Sequence, residues 1–132
     1  MKKELEAKLI ERFPQYFVDM YGDPSKTCMA CGCECGDGWF DLIFKLCEDI
    51  EKLNALNFKA EQIKEKFGGL RFYYCGGVED TSKKYIFTDV RQLVSKAEDD
   101  SYETCECCGS KENVTSEGNW ITTLCDKCRK PK

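Results

Sequence analysis

The cysteine content of this chain constrains its fold more than any other feature, because eleven of its 132 residues are cysteine and none is histidine. The charged, amphipathic amino terminus does not resemble a signal peptide, and no run approaches the roughly 18 apolar residues of a membrane span. We therefore expect a cytoplasmic protein, in a compartment where thiols stay reduced. An odd number of cysteines suits a disulfide framework badly, so the composition predicts metal binding.

The length and charge of the chain narrow the classes of protein further. With 42% apolar residues, 132 residues suffice for one compact domain, or a small domain with an appended module. The net charge of −4 argues against a protein whose main role is to grip phosphate backbones. The lack of histidine removes the commonest general base near neutral pH and a frequent ligand of catalytic zinc. We therefore expect a structural metal, no catalytic residues and no enzyme.

Hydrophobic spacing predicts an α+β fold in which helices pack on a β-hairpin. Apolar side chains recur at helical intervals in three segments, residues 2–13, 39–56 and 81–102. Residues 61–75 instead alternate apolar and polar side chains around Gly68 and Gly69. This alternation predicts two strands joined by a Gly-Gly turn, because the favoured hairpin turns need positive φ angles.

The strongest metal signal lies in the carboxy-terminal tail, where two Cys-x-x-Cys pairs are separated by a spacing typical of four-cysteine zinc sites. The predicted ligands are Cys105, Cys108, Cys125 and Cys128. Two such turns facing each other supply four thiolates in a tetrahedron. The spacing therefore predicts a zinc ribbon at 104–132, following an α+β domain at 1–103. Cys107 lies between the first two predicted ligands, so the sequence leaves open which cysteines of this segment bind the metal.

A second cysteine cluster lies in the loop at 28–38. Its members are Cys28, Cys31, Cys33 and Cys35. The first two have the spacing of a metal-binding turn, but the last three are too close together for an ordinary two-turn site. Either all four hold a second zinc ion, or Cys28, Cys31 and one of the later pair hold it together with Cys75. The alternatives are a thiol-rich loop without metal, and redox or iron–sulfur chemistry.

Aromatic and basic residues on the predicted hairpin are candidates for contact with a partner. Such a surface can stack single-stranded nucleic acid, although the same alternation is typical of a half-buried hairpin. Interface hot spots favour tyrosine, tryptophan and arginine, which points to Tyr73, Arg71 and Trp39 as partner-binding residues. The segment Gly36–Trp39 is either a recognition loop or the start of a helix with a packed tryptophan.

Three segments resemble a set of small proteins encoded by bacteriophages and prophages. They are GDGWFDLI at 36–43, IKEKFGGLRFY at 63–73 and the cysteine pattern from Thr104 to Cys128. The resemblance implies a phage or mobile-element context and action in the host cytoplasm. With the missing catalytic residues, it predicts a zinc-stabilised protein-interaction module that binds and inhibits or redirects a host protein of defence or transcription. The alternative is a nucleic-acid-binding regulator that uses the ribbon and the hairpin.

Overall fold

The computed structural model describes residues 1–77 and 84–129, and its helices and two antiparallel hairpins confirm the α+β prediction. The α-helices are α1 (Lys3–Arg12), α2 (Phe40–Lys52), α3 (Lys84–Ser101) and α4 (Asp126–Arg129), and two short 3-10 helices span Cys28–Cys31 and Asp37–Trp39. The first hairpin pairs β1 (Lys59–Lys66) with β2 (Gly69–Cys75), and the second pairs β3 (Val114–Glu117) with β4 (Thr122–Cys125). Within the described ranges, no helix is long and apolar enough to span a bilayer.

Helix α2 lies at the centre of the hydrophobic core. Its buried residues are Ile43, Leu46, Cys47 and Ile50. The same core includes Leu9 and Phe13 from the first helical segment, Ile63, Leu70 and Phe72 from the first hairpin, and Val90 and Val94 from α3. One helical stripe is thus buried, as the spacing predicts. The helix ends four residues before the predicted Leu56, because Asn54 adopts a left-handed conformation with φ 55°.

The turn of the first hairpin differs from the prediction by one residue. Lys66 pairs with Gly69, so the turn residues are Phe67 and Gly68 rather than the Gly-Gly pair. Both have positive φ, 54° and 83°, as a type I′ turn requires. Gly69 serves a different purpose, because a Cβ there would overlap the ring of Tyr102. A Gly-Gly pair is a stronger turn signal than a Phe-Gly pair, so the sequence alone places the turn one residue too late.

Side chains in the last turn of α3 accept hydrogen bonds from backbone N–H groups of β2. The Glu98 carboxylate accepts a hydrogen bond from the backbone N–H of Phe72 at 2.9 Å. The Ser101 hydroxyl accepts one from the N–H of Leu70 at 2.9 Å. Within the described residues no strand lies beside this edge of β2, and the two side chains supply the acceptors that a neighbouring strand would provide. The predicted start of this helix, at 81–83, lies outside the described residues.

Candidate metal centre

The four predicted tail ligands converge in the structure. The sulfur atoms of Cys105, Cys108, Cys125 and Cys128 all lie within 4.8 Å of one another. The Sγ atoms of Cys108 and Cys125 are 3.7 Å apart. Four sulfurs bonded to one ion at about 2.3 Å would form a tetrahedron with edges of about 3.8 Å, so this spacing is close to that of a four-sulfur metal site.

Two local structures deliver the two cysteine pairs. The first pair lies on a tight turn, Cys105–Gly109, in which the N–H of Gly109 donates to the carbonyl of Cys105 at 2.9 Å. Gly109 has φ 84°, which explains why glycine ends this turn. The second pair lies where β4 meets α4, with Cys125 at the end of the strand and Cys128 in the helix. The β3–β4 hairpin thus returns the chain to the first turn.

Hydrogen bonding shifts the pKa values of Cys105 and Cys128 in opposite directions. Burial alone would raise the pKa of Cys105, but backbone N–H groups, including that of Cys108, lower it to about 6. Hydrogen bonds to the other sulfurs, that of Cys125 first, raise the pKa of Cys128 because they favour its protonated form. One thiolate is therefore readily formed, whereas ionising all four requires a cation to offset their repulsion.

The segment Gly36–Trp39 holds the first cysteine turn against the domain. The N–H of Gly38 donates to the carbonyl of Glu106 at 2.7 Å. A Cβ on Gly38 would overlap the carbonyl oxygen of Cys105, so glycine is required for this approach. Trp39 is wholly buried, and its Nε1 donates to the carbonyl of Thr104 at 2.9 Å. These hydrogen bonds cross the predicted boundary between residues 103 and 104.

The burial of Trp39 corrects one predicted role. A tryptophan with no exposed surface cannot contact a partner in this fold, so Trp39 is a core residue that positions the cysteine turn. Tyr73, in contrast, is 47% exposed. Arg71 is half-buried, with both terminal nitrogens 3.4 Å from the hydroxyl of Tyr102. The roles of Tyr73 and Arg71 in partner binding stay predictions.

Arg129 is a residue of the metal centre that the sequence did not reveal. Its guanidinium donates to the carbonyls of Thr115 and Glu117 on β3 and to the carbonyl of Thr122 on β4. It therefore ties α4, which carries Cys128, to both strands of the second hairpin. No spacing rule marks this arginine, because its acceptors, most of them backbone carbonyls, are brought together only by the hairpin.

The loop cysteines are arranged differently from those of the tail. Within residues 1–77 and 84–129, only the tail cysteines form a group of three or more potential metal-ligating side chains with all ligand atoms this close. Cys28, Cys31 and Cys75 are exposed, whereas Cys33 and Cys35 are buried. Burial raises the pKa of Cys33 to about 12. The structure therefore gives no support to a second zinc ion at Cys28, Cys31, Cys33 and Cys35, or to a set that includes Cys75.

The loop closes around the carboxylate of Glu6 instead. Glu6 is only 3% exposed; its Oε2 accepts from the N–H of Cys33 at 2.6 Å, and its Oε1 accepts from the hydroxyl of Tyr21 at 2.5 Å. Gly32, with φ 73°, approaches the same carboxylate so closely that a Cβ would overlap it. A signal for this role existed, because Glu6 precedes the buried Leu9 by three residues and shares its helical face.

Comparison with family models, curated proteins and solved structures finds no match to this chain. The donor set itself therefore indicates the class of site. Four sulfurs at tetrahedral spacing suit a soft or borderline metal ion, whereas magnesium and calcium take oxygen ligands. This geometry is consistent with a metal-stabilised module at the carboxyl end of an α+β protein.

Proposed function

We propose that this chain is a non-catalytic protein-interaction module stabilised by one structural zinc ion. The observation that carries the proposal is the convergence of four cysteine sulfurs within 4.8 Å. Four thiolates in a tetrahedron are the usual ligands of structural zinc, and they leave no coordination position for water or substrate. An ion bound in this way supports folding and does not take part in a reaction.

The exposure of the tail explains why it needs a metal. The β3–β4 hairpin has only four residues in each strand, and residues 115–121 between Val114 and Thr122 are all exposed. A two-stranded hairpin of this size is marginal on its own in water. Structural zinc binds model peptides with about 10–16 kcal/mol, which equals or exceeds the total stability of a typical domain. Zinc binding is therefore the main term that keeps the tail folded.

The proposed partner is a host protein in the cytoplasm, of the defence or transcription machinery. The resemblance to small phage proteins supports this assignment, as do the missing histidine and the closed ligand set. Arg71 and Tyr73 belong to the residue types that dominate protein interfaces. Both lie on one face of β2, opposite Lys64 and Gln62 of β1 and away from the hairpin face that packs into the hydrophobic core.

Affinity capture from host lysate tests this function. The zinc-loaded chain should retain a specific protein, and the Cys125→Ser variant, which lacks one ligand, should retain much less of it. Cys107→Ser is the matched control, because Cys107 is a neighbouring exposed cysteine outside the predicted ligand set. A substrate turned over by the purified chain, with turnover abolished by a point substitution, would show instead that the protein is an enzyme.

A nucleic-acid-binding regulator is the second candidate. The observation that favours it is the row of basic residues on the outer face of the first hairpin, where Lys64 lies opposite Arg71. Tyr73, on the same face, can stack on a base. Retention on DNA or RNA that weakens steeply between low and physiological salt would support this function. A lack of binding at low salt would exclude it.

A further inference from the structure

The tips of the two hairpins lie side by side. The carbonyl of Gly68, in the first turn, accepts a hydrogen bond from the hydroxyl of Thr123 on β4. A Cβ on Gly68 would come within 3.0 Å of the Ile121 side chain, so the two segments are in contact. Between them lies a groove of about 390 Å³. We define the hairpin-tip surface as five residues that line this groove: Lys64, Lys66, Phe67, Trp120 and Ile121.

The apolar part of the hairpin-tip surface is unusually exposed. Phe67 is 66% exposed, Trp120 is 80% exposed and Ile121 is 39% exposed. The other tryptophan of the chain, Trp39, is wholly buried. Adjacent large apolar side chains left in water contribute little to folding and commonly mark interaction sites. Trp120 and Phe67 therefore have properties expected of anchors for a partner.

The backbone conformation of Phe67 leads to the same conclusion independently. Its φ is 54°, at a turn position where asparagine, aspartate and glycine are favoured and a bulky side chain is disfavoured. Phe67 is therefore strained without gaining burial. Strain of this kind concentrates at functional sites, where the side chain is needed for something other than stability.

The charged part of the hairpin-tip surface indicates the chemistry of the partner. Lys66 Nζ lies 5.7 Å from the ring centroid of Phe67, and Lys64 precedes it on the same strand face. Across the described part of the chain, neither lysine forms an ion pair. The Glu65 carboxylate, which also lines the groove, accepts a hydrogen bond from the N–H of Gly68 at 2.9 Å. In a chain of net charge −4, two unpaired lysines beside an apolar groove favour an acidic ligand with an apolar side chain.

We propose that the hairpin-tip surface binds a short acidic segment of a partner protein. An apolar side chain of that segment inserts between Phe67 and Trp120, and its carboxylates pair with Lys64 and Lys66. A polynucleotide fits less well, because the chain carries a net charge of −4 and Ile121 offers no ring for stacking. This inference rests on the proposed function, since it assigns the surface through which the module binds protein.

The Phe67→Asn variant tests whether Phe67 is needed for binding but not for folding. Asparagine tolerates the positive φ at this position, so the variant should be at least as stable as the natural chain in urea unfolding. Trp120→Ser should likewise leave the unfolding midpoint and the zinc content unchanged. Val18→Ser is the matched control, because Val18 is 63% exposed but lies outside the hairpin-tip surface. A marked loss of stability in Phe67→Asn would show that Phe67 has a structural role and would contradict the proposal.

The binding probe is a library of random twelve-residue peptides displayed on beads and selected with the zinc-loaded chain. Selected peptides should combine aspartate or glutamate with an aromatic or aliphatic residue. Trp120 is the exposed one of the two tryptophans, so binding should also change its fluorescence. Affinity should fall at least tenfold in Phe67→Asn and in Trp120→Ser and severalfold in the Lys64→Gln, Lys66→Gln double variant. The control should bind as the natural chain does.

Three results would overturn the assignment. The first is a selection that yields no acidic peptides. The second is that the selected peptides bind the Phe67→Asn and Trp120→Ser variants as tightly as the natural chain. The third is that a twelve-nucleotide thymidine oligomer quenches Trp120 fluorescence at physiological salt where the peptides do not. Lysate capture distinguishes this failure from failure of the proposed function. A protein retained equally by the natural chain and by Trp120→Ser leaves the function standing and excludes this surface. A natural chain that retains no protein contradicts the function itself.

Discussion

The loop at 28–35 and the tail at 105–128 both begin with a Cys-x-x-Cys pair, yet they fold around different centres. In the tail, four sulfurs gather within 4.8 Å. In the loop, two cysteines are exposed, two are buried, and the centre is the carboxylate of Glu6. Equal numbers of potential ligands therefore produce a metal-type geometry in one segment and a hydrogen-bonded loop in the other.

The two segments differ in whether a structural element brings the second pair of cysteines back to face the first pair. In the tail, the β3–β4 hairpin carries Cys125 and Cys128 back to face the first turn, so sulfurs approach from two sides. In the loop, all four cysteines fall within eight consecutive residues, with no returning strand between them. A Cys-x-x-Cys turn supplies half of a tetrahedron, and a separate structural element must supply the other half.

Removing the metal should give the largest of the effects that distinguish the tail from the loop. Treating the natural chain with a chelator under reducing conditions should unfold the tail, because it removes about 10–16 kcal/mol of binding free energy. Amide resonances of residues 114–125 should lose their dispersion in nuclear magnetic resonance spectra, and readdition of zinc should restore them. The Cys28→Ser, Cys31→Ser variant should respond identically. Spectra unchanged by chelation would show that the tail folds without metal.

Glu6→Ala should be the most damaging single substitution in the loop. It leaves the buried N–H of Cys33 without an acceptor and removes the hydrogen bond of the exposed Tyr21, at a cost of about 3 kcal/mol in unfolding free energy. Urea unfolding measures this loss, and zinc content should not change. Glu11→Ala, at an exposed position of the same helix, is the control. A Glu6→Ala chain of natural stability would contradict the central role of this carboxylate.

Gly38→Ala should have a smaller effect, because it disturbs only the contact between the domain and the tail. The added Cβ would overlap the carbonyl of Cys105, and relieving that overlap should cost about 2 kcal/mol. The expected result is a lower unfolding midpoint together with weaker zinc retention against a chelator. If neither changes, Gly36–Trp39 does not support the cysteine turn as described.

The double substitution Cys28→Ser, Cys31→Ser should have the smallest effect. Both side chains are exposed, so the free energy of unfolding should change by no more than about 0.5 kcal/mol. The zinc content measured by plasma mass spectrometry should stay at one ion per chain. Loss of an equivalent of zinc would instead establish the second metal site that the sequence predicts in this loop.

Periodicity and spacing predicted the parts of the fold that depend on local sequence. The stripe through Ile43 and Ile50 indicated the central helix, the alternation through Leu70 and Phe72 indicated a strand, and the two tail pairs indicated the four cysteines that converge. Each of these signals follows from a repeat or a spacing set by the geometry of one element or of one ligand pair.

The remainder depended on contacts between distant segments. The sequence left Trp39 either in a recognition loop or packed at a helix start, and its burial beneath the cysteine turn, with its hydrogen bond to Thr104, decides for the packed position. The Gly-Gly pair predicted a turn, but Tyr102, far along the chain, requires Gly69 for another reason. Glu6 shares the buried face of its helix, but burial of a carboxylate is expected only where its hydrogen-bond donors are known.

Native mass spectrometry under reducing conditions tests the central claim most directly. The natural chain should carry one zinc ion, and so should Cys107→Ser and the Cys28→Ser, Cys31→Ser variant. The Cys125→Ser chain should carry none, because one corner of the sulfur tetrahedron is missing. A natural chain free of transition metal, or a Cys125→Ser chain that retains its ion, would contradict zinc binding by these four cysteines.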